Sequence, residues 1–106
     1  MNTCAEYFQT LPQRLKVELV AGWETCFFFD IAGPKGGRFT VRIKDQKAEV
    51  FPEKIGDPKC TVRTDDETYM GIERGRIKPE AAFMTGKIKI DNVGEMMKYA
   101  SSFRRL

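Results

Sequence analysis

Residues 25–51 read TCFFFDIAGPKGGRFTVRIKDQKAEVF, and the period of two in their apolar side chains predicts β-structure rather than helix. In the first run, Phe27, Phe29 and Ile31 fall on one face of an extended chain. The glycine-rich stretch at residues 33–37 then interrupts the pattern. Because a second alternating run follows it, this stretch is interpreted as the connection of a β-hairpin.

The second alternating run places Phe39, Val41 and Ile43 on one face and charged or polar residues on the other. Asp45-Gln46 forms a short polar break, and residues 47–51 predict a third strand. Three consecutive strands joined by short turns predict a β-meander.

Outside this meander, the pattern predicts two more strands, at residues 60–64 and 87–90. Residues 64–67, Thr-Asp-Asp-Glu, match a capping box, in which the threonine and glutamate side chains satisfy free backbone N–H groups at a helix start. Apolar positions at helical spacing lie in residues 3–22, 64–75, 79–86 and 92–103. These elements together predict an α+β fold.

Length and composition are those of one ordinary globular domain spanning residues 1–106. The chain is 42% apolar and 31% charged, and no run of about eighteen apolar residues or export signal is present, so we expect a cytoplasmic protein. Three widely spaced cysteines predict reduced thiols rather than disulfides or a zinc site.

The residues or spacings that several kinds of catalytic and binding site require are absent from this chain. Histidine is absent, and no motif pairs a nucleophile with a base, so we expect no enzymatic activity and no catalytic residue. A strand rather than a helix follows the glycines at 33–37, which argues against a phosphate-binding loop. The oxygens at 64–67 lack the spacing of a calcium loop, and we expect neither a metal nor a cofactor.

Charge alone nominates no partner. The net charge of +3 is spread among acidic residues, unlike the basic patch typical of nucleic-acid binding, so no nucleic-acid partner is expected. Arg104-Arg105, the densest basic pair, is interpreted as a solvated helix end. The many apolar residues are compatible with an ordinary core or with a ligand cavity, and methionines suit either.

The order and spacing of several segments resemble the sterol carrier protein domain, also called the nonspecific lipid-transfer family. The most specific segment is residues 75–90, GRIKPEAAFMTGKIKI. The remaining similar segments are FFFDI at 27–31, FTV at 39–41 and TVRTDDE at 61–67. The lead-in at residues 8–15 is similar to the start of small free-standing prokaryotic members.

The resemblance implies a five-stranded, mainly antiparallel sheet with helices covering one face, and an apolar tunnel between the sheet and a movable C-terminal helix. It implies a lipid carrier for fatty acid, acyl thioester or sterol-like ligands, as monomer or dimer, with at most transient membrane contact. The alternative is a non-catalytic protein-interaction or accessory domain with a filled core. The tunnel walls carried over by position are Phe27, Phe29, Ile31, Val41, Ile43, Phe83, Met84, Ile88, Ile90, Met96, Met97 and Phe103.

Overall fold

A computed structural model describes all residues from 1 to 106. Six helical and strand elements precede the centre of the chain and five follow it. In order they are α1 (Cys4–Gln9), α2 (Leu11–Arg14), a 3-10 turn (Val17–Leu19), β1 (Thr25–Ala32), β2 (Gly37–Lys44), β3 (Lys47–Phe51), β4 (Cys60–Asp65), α3 (Asp66–Glu73), α4 (Pro79–Met84), β5 (Lys89–Ile90) and α5 (Val93–Ser101).

The five strands form one sheet in the order β3-β2-β1-β4-β5. Neighbouring strands are antiparallel except β1 and β4, which run parallel. A parallel pair needs a crossover rather than a tight turn, and residues 52–59 supply it between β3 and β4. The predicted α+β class and the mainly antiparallel five-stranded sheet are confirmed.

Strand register confirms the predicted inner face of the sheet. Phe27 lies opposite Val41 on β2 and Cys60 on β4, and Phe29 lies opposite Val62. All five side chains are buried. Since side chains alternate between faces along a strand, these pairings place one continuous apolar surface on the side that the helices cover.

The N-terminal helix fills the middle of this surface with an aromatic ring. Phe8 of α1 stacks on Phe39 at 4.3 Å and on Tyr69 of α3 at 4.9 Å between ring centroids. It also meets Phe29 edge to face at 5.0 Å. Offset and edge-to-face arrangements are the favoured ones for aromatic pairs, so Phe8 joins the sheet to two helices.

The outer face of the sheet is covered by the crossover rather than by a helix. The Thr40 hydroxyl accepts from the Ile55 N–H at 3.0 Å and donates to the Glu53 carbonyl. The Cys26 thiol donates to the Ile55 carbonyl at 3.6 Å. This cover buries Phe28, whose side chain would otherwise face water on the outer side.

The start of α3 differs from the predicted capping box by one residue. Asp65, not Thr64, is the N-cap, and its carboxylate accepts from the Thr68 N–H at 2.7 Å. The prediction was wrong because β4 continues through Asp65, which pairs with Ala32. Thr64 is therefore still in the strand, where its hydroxyl donates to the Lys87 carbonyl at 2.9 Å.

The last strand is shorter than predicted, spanning Lys89–Ile90 instead of residues 87–90. The N–H groups of Lys87 and Ile88 both donate to the Ala82 carbonyl, at 2.9 and 3.2 Å, and thereby close α4. These amides are not available to a ladder. The predicted orientation still holds, because the two isoleucines are half-buried and the two lysines exposed.

The C-terminal tail is not the free end that the sequence suggested. The Arg104 N–H donates to the Arg14 carbonyl at 2.7 Å, and its guanidinium donates to the carbonyls of Gln13 and Leu15. In return, the Lys16 N–H donates to the Ser102 carbonyl at 2.7 Å. The tail thus pairs with the end of α2 and the two residues after it, while the Arg104 and Arg105 side chains stay exposed, as expected of a solvated basic pair.

Close backbone approach explains the glycines of the β1–β2 connection. A Cβ on Gly36 would overlap the Ile31 carbonyl oxygen, and one on Gly33 would lie 2.5 Å from the buried Asp66 carboxylate. That carboxylate accepts from the Lys35 N–H at 2.9 Å. Asp66, interpreted from sequence as part of a helix cap, fixes the hairpin connection to α3.

We expect Gly36→Ala to lower the free energy of unfolding by about 1–3 kcal/mol, since the new methyl group must displace backbone. Gly94→Ala is the matched control, because nothing but Asn92 Oδ1, at 3.9 Å, lies near its Cβ position in α5. There the same change should raise stability by up to about 1 kcal/mol. Urea denaturation of both variants measures the difference. Equal effects would contradict the close backbone approach at Gly36.

Candidate functional site

The predicted wall residues on the sheet lie together at the base of one apolar region. Phe27, Val41 and Ile43 are fully buried, and Phe29 and Ile31 are nearly so. All five belong to the main hydrophobic cluster. Two of them lie directly beneath α5, since Phe27 and Phe29 are 4.5 and 5.7 Å from Tyr99 between ring centroids. These two form the floor of the candidate site.

The roof of this space comes from the α4–β5–α5 layer, defined as residues 78–106. Ile88, Ile90, Met96 and Phe103 are half-buried and pack against the hydrophobic cluster. Their partial exposure places them at the edge of the interior.

Three predicted wall residues do not face this space. The side chains of Phe83, Met84 and Met97 are 42%, 85% and 68% exposed. Successive helical positions differ by about 100°, so a helix that turns Met96 inward must turn Met97 outward. On α4 the inward position is Ala82, which is buried. In this structure Met84 and Met97 are mostly exposed and Phe83 is partly exposed, so none of the three belongs to the buried interior.

Two aromatic residues of the region were missed in the sequence. Tyr99 lies 4.5 Å from Phe27 and 4.7 Å from Phe103 between ring centroids, and it is the main anchor of α5. Its position three residues after Met96 was the available signal. Trp23 packs edge to face on Phe27 at 6.4 Å, and the Lys98 ammonium lies 4.4 Å from the centroid of its ring.

Aromatic rings occupy the space between floor and roof. Two cavities open elsewhere on the surface, and most of the residues that line them are polar or charged. One of about 320 Å³ lies beside Cys26 and Arg42, and one of about 540 Å³ lies beside Asp66 and Arg74. Neither separates the sheet from α5, and the open apolar tunnel stays a prediction.

A polar cluster closes the apolar region where α2 meets α3. The Arg14 guanidinium lies 3.1 Å from the Glu73 carboxylate, and both side chains are mostly buried, with exposed fractions of 13% and 15%. The Tyr69 hydroxyl donates to Glu73 at 3.3 Å. Burial, followed by the Glu73 charge, raises the pKa of Tyr69 and of Tyr99, so both phenols stay protonated.

The buried thiols are poorly suited to nucleophilic attack. Burial raises the pKa of both Cys4 and Cys60 to about 11 from an ordinary 9.0, with nearby carboxylates adding to the effect. Burial also raises the pKa of the half-buried Cys26. The thiolate is the reactive form, and all three thiols stay protonated at neutral pH.

Comparison with known proteins decides the family. A model described as the SCP-2 sterol transfer family matches residues 6–104. This chain belongs to that family. Among solved structures, sterol carrier protein domain 2 of Helicoverpa armigera is 27% identical with a TM-score of 0.68, over 91% of this chain and 81% of that one.

Relatives of this SCP-2 domain include parts of much longer proteins. Hydroxysteroid dehydrogenase-like protein 2 of Mus musculus is 30% identical over 80% of this chain, and sterol carrier protein 2 of Rattus norvegicus is 32% identical over 71%. The chain spans only 18% and 14% of their lengths. The sec-alkylsulfatase Pisa1 of Pseudomonas sp. shares the fold, with a TM-score of 0.81 at 14% identity, over 94% of this chain and 16% of that one.

No helix in the SCP-2 domain is both long and apolar enough to cross a membrane.

We expect the free energy of unfolding to fall as pH rises from about 9 to about 11. The unfolded chain loses its thiol protons near pH 9.0, whereas folded Cys4 and Cys60 hold theirs to about pH 11. Their contribution is complete below pH 9 and is lost across this window. Urea titrations at several pH values measure the slope, which should be shallower in Cys60→Ala; an unchanged slope would contradict the raised pKa of Cys60.

Proposed function

We propose that this SCP-2 domain is a lipid carrier that holds a fatty acid, acyl thioester or sterol-like molecule between the sheet and the α4–β5–α5 layer. The observation that carries the proposal is the difference in burial between the sheet and the α4–β5–α5 layer that covers it. Within residues 78–106, only Ala82, Tyr99 and Ser102 are buried, whereas the inward side chains of β1, β2 and β4 are almost all buried. A firm apolar floor under a lightly held roof suits the uptake of an apolar guest.

Lightly packed elements open at low free-energy cost, because few buried contacts must be broken. The apolar contacts that hold the roof are few, chiefly Tyr99 on Phe27. Hydrogen bonds at its edges complete the attachment, from the Thr25 hydroxyl to Glu95 at 2.6 Å and from the Thr61 N–H to Asp91 at 2.7 Å. Movement of α5 would separate Met96 from the sheet while leaving the aromatic cluster around Phe8 in place. In this proposal, α5 is the lid.

Apolar burial is sufficient to account for binding. Each methylene removed from water contributes about 0.8 kcal/mol, so ten contribute about 8 kcal/mol before the costs of association and of moving the lid. Micromolar binding requires a net value of about 8 kcal/mol, so buried methylenes beyond ten must offset those costs. The acyl chain would gain this energy from the half-buried surface of Ile88, Ile90 and Met96.

The proposal includes no chemical step. The chain has no histidine, and the three thiols are protonated at neutral pH, so the residues support carriage rather than conversion of the lipid. Three free cysteines also fit a reducing compartment, which supports a cytoplasmic location.

The packed interior favours one second candidate, an accessory domain that binds a protein partner and no lipid. Phe27, Phe29 and Tyr99 already lie within 4.5 to 6.5 Å of one another between ring centroids. Whether the purified protein contains a bound lipid distinguishes the two candidates. A stoichiometric lipid in native mass spectrometry supports the carrier; a protein that carries none and takes up no fluorescent fatty acid supports the accessory domain.

A pair of adjacent methionines tests the location of the site. Met96→Asp places a short charged side chain at the half-buried inward position and should weaken fluorescent fatty acid binding by at least about tenfold. Met97→Asp is the matched control, because its side chain is already exposed and the charge stays in water. Titration of both variants, with circular dichroism to verify folding, gives the result, and equal affinities would refute this site.

A further inference from the structure

The hydroxyl groups of the three tyrosines differ in whether they have a partner. The Tyr69 hydroxyl donates to the Glu73 carboxylate at 3.3 Å, and the Tyr7 hydroxyl accepts from the Arg74 guanidinium at 2.9 Å. The Tyr99 hydroxyl makes no hydrogen bond within the domain, although Tyr99 is only 9% exposed. Buried polar groups are bonded in the great majority of cases, so this hydroxyl is an exception that points to a partner outside the chain.

The Tyr99 oxygen is mostly enclosed but can still be reached from outside. Every side-chain oxygen or nitrogen that is completely buried in this chain has a hydrogen-bond partner. The Tyr99 oxygen has none, and it therefore belongs to the small exposed part of that residue. A polar atom at such a position can bond to an entering molecule without first breaking a bond inside the protein.

Tyr99 lies between the lid and the floor of the candidate lipid site. Its ring centroid is 4.5 Å from that of Phe27, 5.7 Å from that of Phe29 and 4.7 Å from that of Phe103. The ring is thus part of the apolar surface that an acyl chain or a ring system would contact. Its hydroxyl is a polar group attached to that same surface.

The charged groups that act on this hydroxyl, Glu73 and Arg14, are paired with each other at 3.1 Å. Burial and, after it, the Glu73 charge raise the pKa of Tyr99, so the phenol is protonated at neutral pH. Arg14 uses all but one of its N–H groups, on Glu73, Thr10 and the Arg104 carbonyl. An entering carboxylate would meet the Glu73 charge with its counter-ion already used, whereas an uncharged oxygen would meet no such repulsion.

We infer that the Tyr99 hydroxyl binds the polar end of the carried lipid, and that this end is an uncharged oxygen, a hydroxyl or a carbonyl, rather than a carboxylate. The inference deepens the proposed lipid carriage and rests on it. A protonated phenol can donate to a carbonyl, and can donate to or accept from a hydroxyl. Among the ligands of the proposed function, this bond favours a sterol-like alcohol or an acyl thioester over a free fatty acid.

Lipids of similar chain length with different polar ends test the inference in the whole domain. The ligands are dodecanol with a hydroxyl, methyl dodecanoate with a carbonyl, dodecanoate with a carboxylate, and tridecane with no oxygen. Their affinities follow from displacement of the neutral dye Nile red at about pH 8, where dodecanoate is ionised. The wild-type domain should bind dodecanoate at least about tenfold more weakly than dodecanol.

The Tyr99→Phe variant removes only the hydroxyl and keeps the ring. We expect it to weaken the binding of dodecanol or of methyl dodecanoate by about three- to tenfold, and to leave the binding of tridecane unchanged. The ligand that is weakened identifies the recognised oxygen. Tyr7→Phe is the matched control, because Tyr7 lies on α1 and its hydroxyl is bonded to Arg74. This control should change none of the affinities.

Unfolding in urea tests the same hydroxyl without any lipid. Tyr69→Phe removes a bonded hydroxyl and leaves Glu73 without one of its donors, so the urea midpoint should fall. Tyr99→Phe should keep or raise the midpoint, because a mostly buried polar group without a bond is destabilising. An equal fall in both variants would show that the Tyr99 hydroxyl is bonded within the domain, and would overturn the inference.

The binding outcomes separate this inference from the lipid carriage on which it rests. Wild-type affinities for dodecanol and methyl dodecanoate that Tyr99→Phe leaves unchanged, or dodecanoate bound as tightly as dodecanol, would overturn the inference and leave carriage standing. A parallel loss for tridecane and dodecanol in Tyr99→Phe would assign the side chain a packing role alone and overturn the inference as well. Failure of the wild-type domain to bind any of these ligands would overturn carriage, and the inference with it.

Discussion

The packing of Phe8 against Phe39, Phe29 and Tyr69 is the contact that joins the N-terminal helix α1 to the sheet and to α3. Aromatic rings supply the largest burial per residue, and a chain of this length has little other core to draw on. One ring from α1 joins two strands and α3 in a single packed unit. The sheet therefore has a fixed inner face before the C-terminal helices contribute, and that fixed face is the floor of the candidate site.

The rest of the molecule divides into a firm body and a lighter cover. Strong pairing holds β1, β2 and β4, while β5 contributes only two residues to the ladder. The C-terminal tail is nevertheless retained, because Arg104 donates to the carbonyls of Gln13 and Leu15 at the end of α2. A lid fixed at both ends and lightly packed between them can move without leaving the domain, and this combination supports lipid carriage.

Strand residues of the site could be predicted, and helix residues only in part. Side chains along a strand point to alternate faces of the sheet, so one buried position such as Phe27 determines which of its neighbours also point inward. A short helix allows more than one apolar face: α5 contains Met96 and Met97 side by side, and composition does not choose between them. The choice follows from Tyr99, whose contact with Phe27 fixes the rotation of the helix.

By itself, the sequence determined the fold class, the strands of the meander, their inner face and the family of the domain, because these depend on local periodicity and on the order of short motifs. Only the tertiary structure decided that Asp65 caps α3, that Asp66 holds the hairpin connection, that Arg104 joins the two ends, and that Met84 and Met97 face solvent. The physical reason is distance along the chain: each of these outcomes depends on a partner or a packing surface outside the local segment, which no local pattern contains.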